Sequence, residues 1–441
     1  MEKTNKLIVG IITSSYPPNK NGVAGAVYNL EQALLNVGVE VYIATPKILY
    51  AKYESNVFPI KSTGLPKKTT SDIRYPTDLL GKLSVTKFFK DKKVQIIHSH
   101  DTMIGGLEAV LIGNSLQIPV LHTYHTLIED YEYFKFPGYK GFIRSYSQIV
   151  CDSSDGVIAL CDKINKYLVN INVSSKIIPL PNIVNPNLKL EAENSKENSK
   201  KSVETFKKTR NFIDKILKIE KKLGKKPFIY ISFGRLAVEK NIIQSINILE
   251  KTLLNSENVF FIIAGCGPLK NNLDEEVQKK GLENKILFYG EYNQGELKEL
   301  CSFCDVFIIT SFTEVLPTTP LEAMVRGLPV LCVNDSSYDY IVKDGFNGVK
   351  GDVSVLKTLC LDLHLDSKLV IEMGKNAKET AKHYLGIDFT EKYINCYQDF
   401  IQNYTPNPII KKLFIQSMAN SISQFAKVNT IISNKLKNTR I

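Results

Sequence analysis

The chain has 441 residues, enough for two ordinary domains, and its 44% hydrophobic and 23% charged content is typical of soluble globular proteins. Its formal net charge of +11 predicts an anionic partner, such as a nucleotide, a membrane surface or a nucleic acid. No apolar run has membrane-spanning length, and the run at residues 7–12 is too short for a secretory signal. The eight cysteines form no disulfide or zinc framework, which predicts reduced thiols in a cytoplasmic protein.

Residues 1–185 alternate strand and helix patterns, which predicts a Rossmann-like domain with a parallel sheet. The loop between the first strand and the first helix contains Gly22, and a glycine there lets backbone N–H groups approach a phosphate. An ordinary turn glycine is the alternative. The loop does not read GxGxxG, so a dinucleotide site is not favoured.

A predicted strand at residues 118–123 runs into a polar loop that contains His122 and His125. A histidine at the carboxyl end of a strand can donate a hydrogen bond or move a proton, although one such histidine is often a simple loop residue. His125 is the preferred candidate, because His122 has the opposite strand parity. The segments at residues 61–93 and 133–144 are basic, and the second interleaves aromatic residues, which suits a membrane interface or single-stranded nucleic acid.

Residues 186–227 form a polar and basic linker, with a lysine-rich helix predicted near residues 203–223. A second Rossmann-like domain is predicted at residues 228–384, followed by a crossover helix at 385–404. The remaining residues, 405–441, have a basic amphipathic pattern from residue 409 onward. That tail is predicted either to lie on a membrane surface or to dock on the protein's own core.

In the second domain, charged residues follow predicted strands. Arg235 and Lys240 follow the strand at 228–233, and two fixed cations at a strand end can hold a diphosphate. Gly265 follows the strand at 259–264, and Glu314 and Glu322 flank the loop and helix after the strand at 305–309. In open α/β sheets, ligands bind outside the carboxyl ends of strands. Plain surface charges are the alternative.

The order of these motifs resembles the retaining glycosyltransferases of family 4. The similarity lies in Gly-Arg-Leu at 234–236 with a following lysine, Gly-x-Gly-Pro at 265–268, and two glutamates separated by seven residues and followed by Ala-Met, a glycine and Pro-Val. It implies an α/β protein of GT-B fold, with two Rossmann-like domains facing across a cleft and C-terminal helices crossing back to the first. The chain departs from the pattern at Asn21 and Asn241, which replace glycines, and at Pro317, which lacks the N–H that Thr318 and Thr319 can supply.

The resemblance also implies roles for individual residues. The implied catalytic residues are His125, Arg235, Lys240 and Glu314, with the two cations on the pyrophosphate and the histidine and glutamate on the hexose. The implied donor-binding residues are Gly22, Gly265, Thr318, Thr319 and Glu322, the last on the ribose. Glu129, Asp130 and Tyr131 are implied on the acceptor side. No metal and no cofactor are expected, because two fixed cations can stabilise the leaving diphosphate as Mg²⁺ does elsewhere. The hypothesis for the reaction is a front-side attack in which the departing phosphate largely deprotonates the acceptor hydroxyl.

The His-Thr pair at residues 125–126, followed by Glu-Asp-Tyr at 129–131, resembles bacterial 1,2-diacylglycerol 3-alpha-glucosyltransferases. This implies transfer of a hexose, expected to be glucose from UDP-glucose, to a lipid such as diacylglycerol on the cytoplasmic membrane face. A sugar or polyprenol-linked acceptor for a surface polysaccharide is the alternative within the class. A non-catalytic protein that binds nucleotide sugars or membrane surfaces is the alternative outside it. No nucleic acid is expected as a partner.

Overall fold

A computed structural model describes residues 6–19, 21–48, 51–64, 74–76, 79–101, 104–127, 129, 138–183, 203–312, 314–315, 317–385 and 387–406. The chain divides into two compact units. The first contains Met1–Asn19, Leu34–Leu180 and Lys392–Ile441, and the second contains Lys20–Ala33 and Pro181–Glu391.

The regular elements alternate along the chain as the sequence pattern predicts. The strands are β1 (Ile8–Ile12), β2 (Glu40–Pro46), β3 (Val57–Ile60), β4 (Ser62–Gly64), β5 (Arg74–Pro76), β6 (Ile96–Ser99), β7 (Val120–Tyr124), β8 (Gly156–Ala159), β9 (Lys176–Pro179), β10 (Phe228–Phe233), β11 (Val259–Ala264), β12 (Ile286–Gly290), β13 (Val306–Ile309), β14 (Val330–Val333) and β15 (Gly348–Gly351). The helices are α1 (Gly22–Asn36), α2 (Leu79–Asp91), α3 (Ile104–Leu116), α4 (Tyr139–Ser153), α5 (Asp162–Asn170), α6 (Val203–Leu223), α7 (Ile242–Asn255), α8 (Lys270–Lys279), α9 (Gln294–Cys301), α10 (Thr318–Val325), α11 (Val353–Asp362), α12 (Ser367–Leu385) and α13 (Ile387–Gln402).

The first unit is built on a seven-stranded parallel sheet in the order β3-β2-β1-β6-β7-β8-β9, and β4 and β5 form a separate antiparallel pair. Every residue of β6, β7 and β8 is buried, as expected for parallel strands that are covered on both faces. One core cluster joins Phe89 of α2 to Ile97 of β6 and Val110 of α3. This packing fixes the carboxyl ends of β6 and β7, where the polar loops begin.

The second unit has a six-stranded parallel sheet in the order β12-β11-β10-β13-β14-β15. The strand order reverses direction between β10 and β13, and the same reversal lies between β1 and β6 in the first unit. A doubly wound sheet binds ligands at such a reversal, outside the carboxyl ends of the two strands. The predicted pair of Rossmann-like domains is confirmed.

Helix α6 packs on the second unit through Thr209, Phe212 and Ile216, which are buried at helical spacing. The Thr209 hydroxyl lies 2.8 Å from the hydroxyl of Tyr289, and the Phe212 ring meets the Tyr289 ring edge-on. The lysine-rich helix predicted at residues 203–223 is therefore confirmed, and its apolar stripe holds it to the second sheet.

Helix α13 returns the chain to the first unit from Lys392 onward. Tyr393 and Tyr397 are fully buried there, and Phe400 lies where a side chain on Gly156 of β8 would be. The predicted tail at residues 409–441 lies outside the described residues. Within the described part of the chain, every helix is too short or too polar to cross a membrane. All eight cysteines are free thiols, six of them buried.

Candidate active site

The loops after β10 and β13 meet because these two strands are hydrogen-bonded neighbours. Lys240 lies in a 3-10 turn after β10, and Glu314 follows β13. The Lys240 ammonium donates to Oε1 of Glu314 in an ion pair, with the two side chains 27% and 13% exposed. Two residues that are 74 positions apart in the chain thus form one charged site at the reversal of strand order.

Hydroxyl groups fasten the two loops to each other. Thr310 Oγ1 donates to the carbonyl of Asn241 over 2.7 Å, and Ser311 Oγ donates to the carbonyl of Glu239 over 2.6 Å. The Tyr338 hydroxyl donates to the carbonyl of Ser311 over 2.8 Å. These bonds are buried or half-buried, so the backbone that carries Lys240 is held firmly against the backbone that leads to Glu314.

Asn241 explains one departure from the family pattern. Its φ is +49°, in the left-handed region that favours glycine and that asparagine tolerates better than most residues. The residue ends the 3-10 turn and immediately precedes α7. Asparagine therefore meets the same backbone requirement as the glycine that it replaces.

Arg235 contributes a second cation on the same loop. Its guanidinium donates to Oε1 of Glu239 four residues later, and the arginine side chain is 39% exposed. Each cation of this loop is thus paired with a carboxylate, while part of each remains accessible. The charge arrangement suits a group that carries both a diphosphate and hydroxyls, because cations and carboxylates can bind the two parts separately.

Gly265 is required by the close approach of two neighbouring loops. Its φ is +142°, and a Cβ on it would come within 1.8 Å of the carbonyl oxygen of Gly234. Leu236 N donates to the carbonyl of Cys266, which ties the loop after β10 to the loop after β11. The glycine therefore lets the backbone of Arg235 pack against the next loop, a structural role that the motif alone does not reveal.

Glu322 lies in the second turn of α10 and is held by a polar cluster. Gln294 Nε2 donates to its Oε2 over 3.3 Å, and the Thr318 hydroxyl bonds the same carboxylate. Arg326 donates to Oε1 of Gln294 over 2.8 Å. Desolvation raises the pKa of Glu322, although Arg326, Gln294 and Thr318 each act in the opposite direction.

The first turn of α10 begins directly after Pro317, whose extended backbone precedes the helix. Thr318 and Thr319 occupy the first two helical positions, where backbone N–H groups have no acceptor within the helix. The missing N–H of Pro317 is therefore followed by two residues that present N–H groups.

Four histidines of the first unit cluster around the ends of β6 and β7. His98 Nδ1 lies 2.7 Å from the Tyr397 hydroxyl, and His98 Nε2 lies 2.6 Å from Thr123 Oγ1. His100 Nδ1 lies 2.8 Å from Nε2 of His125. The fourth member is His122, a strand residue of β7 with no exposed surface.

Burial keeps these imidazoles neutral. Desolvation lowers the pKa of His125 to about 4 and that of His122 to about 3. It also holds the pKa values of His98 and His100 well below the ordinary range, helped by repulsion from the neighbouring histidines. Both ring nitrogens of His122 are buried without a hydrogen-bond partner among the described residues.

The remaining predicted residues lie in different surroundings. Gly22 is the first residue of α1, with open space where a side chain would be, and Asn21 Oδ1 accepts from the N–H of Ala24 over 2.9 Å. Asn21 therefore caps the helix where the family has a glycine. Glu129 accepts two hydrogen bonds from Arg144 of α4, of 2.7 and 3.1 Å. Asp130 and Tyr131 lie outside the described residues.

Sequence reasoning missed Gln294, Arg326 and His100. Arg326 lies four residues after Glu322, directly after the end of α10, which is a recognisable spacing, but Gln294 joins them from another helix. His100 directly follows β6, as His125 directly follows the neighbouring β7, and that parallel placement is a usable signal. Among the described residues, no group of three or more His, Cys, Asp or Glu has metal-site geometry.

Comparison with known proteins identifies the family of the chain. Residues 20–188 match the family described as Glycosyltransferase Family 4, and residues 214–380 match the family described as Glycosyl transferases group 1. The chain is a family 4 glycosyltransferase. The family and the enzyme class predicted from the sequence are confirmed.

Two curated relatives of this glycosyltransferase share one name, Alpha-monoglucosyldiacylglycerol synthase. The Acholeplasma laidlawii protein is 26% identical over 89% of this chain and 97% of its own length. The Streptococcus pneumoniae protein is 25% identical over 77% of this chain and 74% of its own length.

Crystal structures of Anabaena HepE show the same fold. The complex with UDP has a TM-score of 0.65 and 16% identity, and the complex with UDP-glucose has a TM-score of 0.64 and 15% identity. Each match covers 89% of this chain and 99% of the HepE chain. The predicted GT-B fold of this glycosyltransferase is confirmed.

Proposed function

We propose that this glycosyltransferase moves glucose from UDP-glucose to diacylglycerol, with retention of the anomeric configuration. The observation that carries the proposal is the Lys240–Glu314 pair at the strand reversal of the second sheet, with Arg235 on the same loop. The names of the curated relatives support diacylglycerol and glucose, and the HepE complexes support a uridine nucleotide.

In the proposed reaction, the bond between the anomeric carbon and the phosphate oxygen breaks, and a bond from that carbon to the acceptor oxygen forms on the same face. The acceptor's proton passes to the departing phosphate, which leaves as UDP. Negative charge grows on the diphosphate as the bond breaks, so Arg235 and Lys240 stabilise the transition state more than the ground state. These two cations take the part that a divalent metal plays in other phosphate chemistry.

Glu314 has two roles in the proposed reaction. Its carboxylate accepts hydrogen bonds from hexose hydroxyls and also holds the Lys240 ammonium in place. Glu322 accepts from the ribose hydroxyls, and the Gln294–Arg326 cluster fixes its orientation. His125 is neutral, since burial lowers its pKa to about 4, and it hydrogen-bonds the hexose.

A lipid acceptor requires a membrane surface, and the exposed face of α6 has the charge to meet one. Thr209, Phe212 and Ile216 face the protein, so the other side of the helix is exposed. The exposed basic residues of this helix and the turn after it are Lys208, Arg210, Lys215, Lys218, Lys221, Lys222, Lys225 and Lys226. Each basic residue near an anionic lipid surface contributes about 1 kcal/mol of binding. We propose that this face contacts anionic headgroups.

Turnover on lipid vesicles tests the reaction. Vesicles containing diacylglycerol are supplied with a panel of UDP- and GDP-sugars, and the lipid product is analysed by mass and by the anomeric proton coupling. We expect an α-glucosyl lipid from UDP-glucose alone. Donor hydrolysis without a lipid product would move the acceptor to a sugar or a polyprenol-linked sugar. Binding of every donor without any reaction would favour the non-catalytic alternative.

Arg235 provides the sharpest mutational test of the diphosphate role. Arg235→Ala should lower kcat/KM about hundredfold, because the leaving UDP loses a fixed cation. Arg235→Lys keeps the charge but not the fork of donors, so it should recover only part of the loss. Unchanged kcat/KM in Arg235→Ala would refute the proposed mechanism.

Charge reversal on α6 tests the membrane contact. The variant Lys215→Glu, Lys218→Glu, Lys222→Glu alters one exposed helical face, and the control Lys357→Glu, Lys368→Glu, Lys375→Glu makes the same net change elsewhere on the second unit. Sedimentation with phosphatidylglycerol vesicles should show at least tenfold weaker binding for the first variant. Equal losses in both variants would mean that net charge alone drives binding.

A further inference from the structure

Two neutral histidines face each other nitrogen to nitrogen in the first unit. His100 Nδ1 lies 2.8 Å from His125 Nε2, and the two rings stack with centroids 5.0 Å apart and planes 29° apart. Both side chains are buried, and burial lowers the pKa of each. The pair therefore shares a hydrogen bond between two neutral imidazoles.

Only one hydrogen atom fits between these two nitrogens. A neutral imidazole carries its hydrogen on one nitrogen, so the tautomers of the two rings depend on each other. If His100 carries the hydrogen on Nδ1, it donates to Nε2 of His125, and His125 carries its own hydrogen on Nδ1. In the opposite arrangement, His125 donates from Nε2 and its Nδ1 is a bare acceptor.

The other nitrogen of His100 decides between the two arrangements. His100 Nε2 is buried without a hydrogen-bond partner among the described residues. In the second arrangement this atom would be a buried N–H with no acceptor, whereas in the first it is a buried lone pair. Orphaned buried N–H groups are the rarer of the two in native proteins. The first arrangement is therefore favoured.

The ring of His100 is held from its other side. The His98 ring lies 4.0 Å from it between centroids, and His98 is itself bonded through Thr123 and Tyr397. His100 therefore has little freedom to turn away from His125. Among the described residues, Nδ1 of His125 has no hydrogen-bond partner, which leaves it available to a ligand.

We propose that His100 is a positioning residue that holds His125 in the Nδ1–H tautomer. His125 then presents a hydrogen-bond donor, not an acceptor, to an oxygen of the bound sugar. The identity of that sugar rests on the proposed function, but the tautomer does not. His100 acts only through His125 and touches no substrate in this scheme.

Nuclear magnetic resonance of the full chain with nitrogen-15-labelled histidine tests the tautomer directly. The protein has six histidines, and the variant His125→Gln identifies the His125 signals by their loss. Long-range proton–nitrogen correlations should show His125 protonated at Nδ1 in the wild type. Protonation at Nε2 would overturn the proposal. This measurement requires no turnover, so its failure is distinct from failure of the proposed reaction.

Two isosteric variants separate positioning from packing. His100→Asn keeps an N–H donor on the atom bonded to Cγ, whereas His100→Leu has a similar volume and no donor. The asparagine variant should keep the Nδ1–H tautomer and stay within about threefold of the wild-type kcat, while the leucine variant should lose the tautomer and about tenfold in kcat. Equal loss in both variants, with both folded by circular dichroism, would mean that His100 only fills space.

Discussion

The carboxyl edges of the two sheets are built from opposite chemistry. At the first, four buried histidines are neutral, because burial lowers their pKa values, and two hydroxyls hold one of them. At the second, Arg235 and Lys240 are charged, accessible in part, and paired with carboxylates. The same strand reversal therefore supports a neutral, buried hydrogen-bonding edge in one unit and an ionic edge in the other.

The difference in charge and burial determines how each edge responds to a ligand. Ion pairs near the surface are individually weak, so their cations can move to a stronger anion without a large cost. Buried neutral networks are costly to disturb, because a lost partner leaves an unsatisfied group. We therefore expect the second edge to adjust on donor binding and the first to act as a rigid reference.

The ionic edge should carry the largest kinetic effect. Glu314→Ala removes the proposed hydroxyl acceptor and leaves Lys240 without its carboxylate, so kcat/KM should fall about hundred- to thousandfold. Glu275→Ala, an exposed glutamate of α8, is the matched control and should change nothing. Initial rates of UDP release measure both. Turnover near wild type in Glu314→Ala would contradict the assigned role of this edge.

The neutral edge should make the protein sensitive to acid. His122 and His125 have native pKa values of about 3 and 4, while unfolded histidine titrates near 6.5. Between these values the unfolded state binds more protons, so the free energy of unfolding falls as pH falls. Between pH 7 and pH 5.5, these two residues together should lower the free energy of unfolding by about 2 to 3 kcal/mol, as measured by urea titrations.

The variant His122→Leu tests whether a buried neutral histidine causes this loss of stability at low pH. The imidazole nitrogens of His122 have no hydrogen-bond partner among the described residues, so leucine removes the proton uptake without breaking a bond. The slope of the free energy of unfolding against pH should decrease, because unfolding takes up about one proton fewer. Thr358→Leu, which places the same side chain at an exposed position of α11 without removing a titratable group, should leave the slope unchanged. A slope that responds equally to both substitutions would argue against a buried neutral cluster.

The cluster of Glu322, Gln294 and Arg326, which we propose binds the ribose, should show an intermediate effect, confined to binding. Gln294→Leu removes the donor to Glu322 and the acceptor for Arg326, so the Kd for UDP should rise about tenfold by calorimetry. Gln278→Leu, on the exposed face of α8, serves as the control. An unchanged Kd in Gln294→Leu would show that this cluster has no part in nucleotide binding.

The smallest expected effect concerns the backbone beneath the ionic edge. Asn241→Ala places a less tolerant residue at positive φ and should lower the free energy of unfolding by about 1 kcal/mol. Asn241→Gly should be nearly neutral, since glycine adopts this conformation freely. Thermal unfolding compares the stability of the two variants with that of the wild type. Alanine as stable as glycine would mean that the turn relaxes.

The fold could be predicted from the sequence because strand and helix patterns alternate clearly and the buried strands are apolar runs. Helix α6 and the return of the chain through α13 were also predictable, the first from lysine-rich periodicity and the second from family resemblance. Glu314 and Lys240 could be chosen as candidates from motifs. Their ion pair could not, because it depends on which strands are neighbours.

Other features depended on packing that no local pattern reveals. Glycine is needed at 265 because a carbonyl oxygen from another loop lies where a Cβ would be. Asparagine is suited to position 241 because the backbone there has a positive φ. The His100–His125 contact joins residues that follow different strands, and Gln294 reaches Glu322 from another helix. Several candidate site residues could thus be chosen one by one from the sequence, whereas their mutual bonds required the assembled sheets.

The bond between His98 and Tyr397 spans 299 positions of the chain. The first unit thus has two tyrosines in its interior that are translated only after the last residue of the second unit. During synthesis, the second unit can complete its core while the first still lacks its final helix. A nascent chain released before Tyr393 would leave His98 without the Tyr397 hydroxyl, while the Thr123 hydroxyl would remain. The order of translation therefore makes the first domain to begin folding the last to finish.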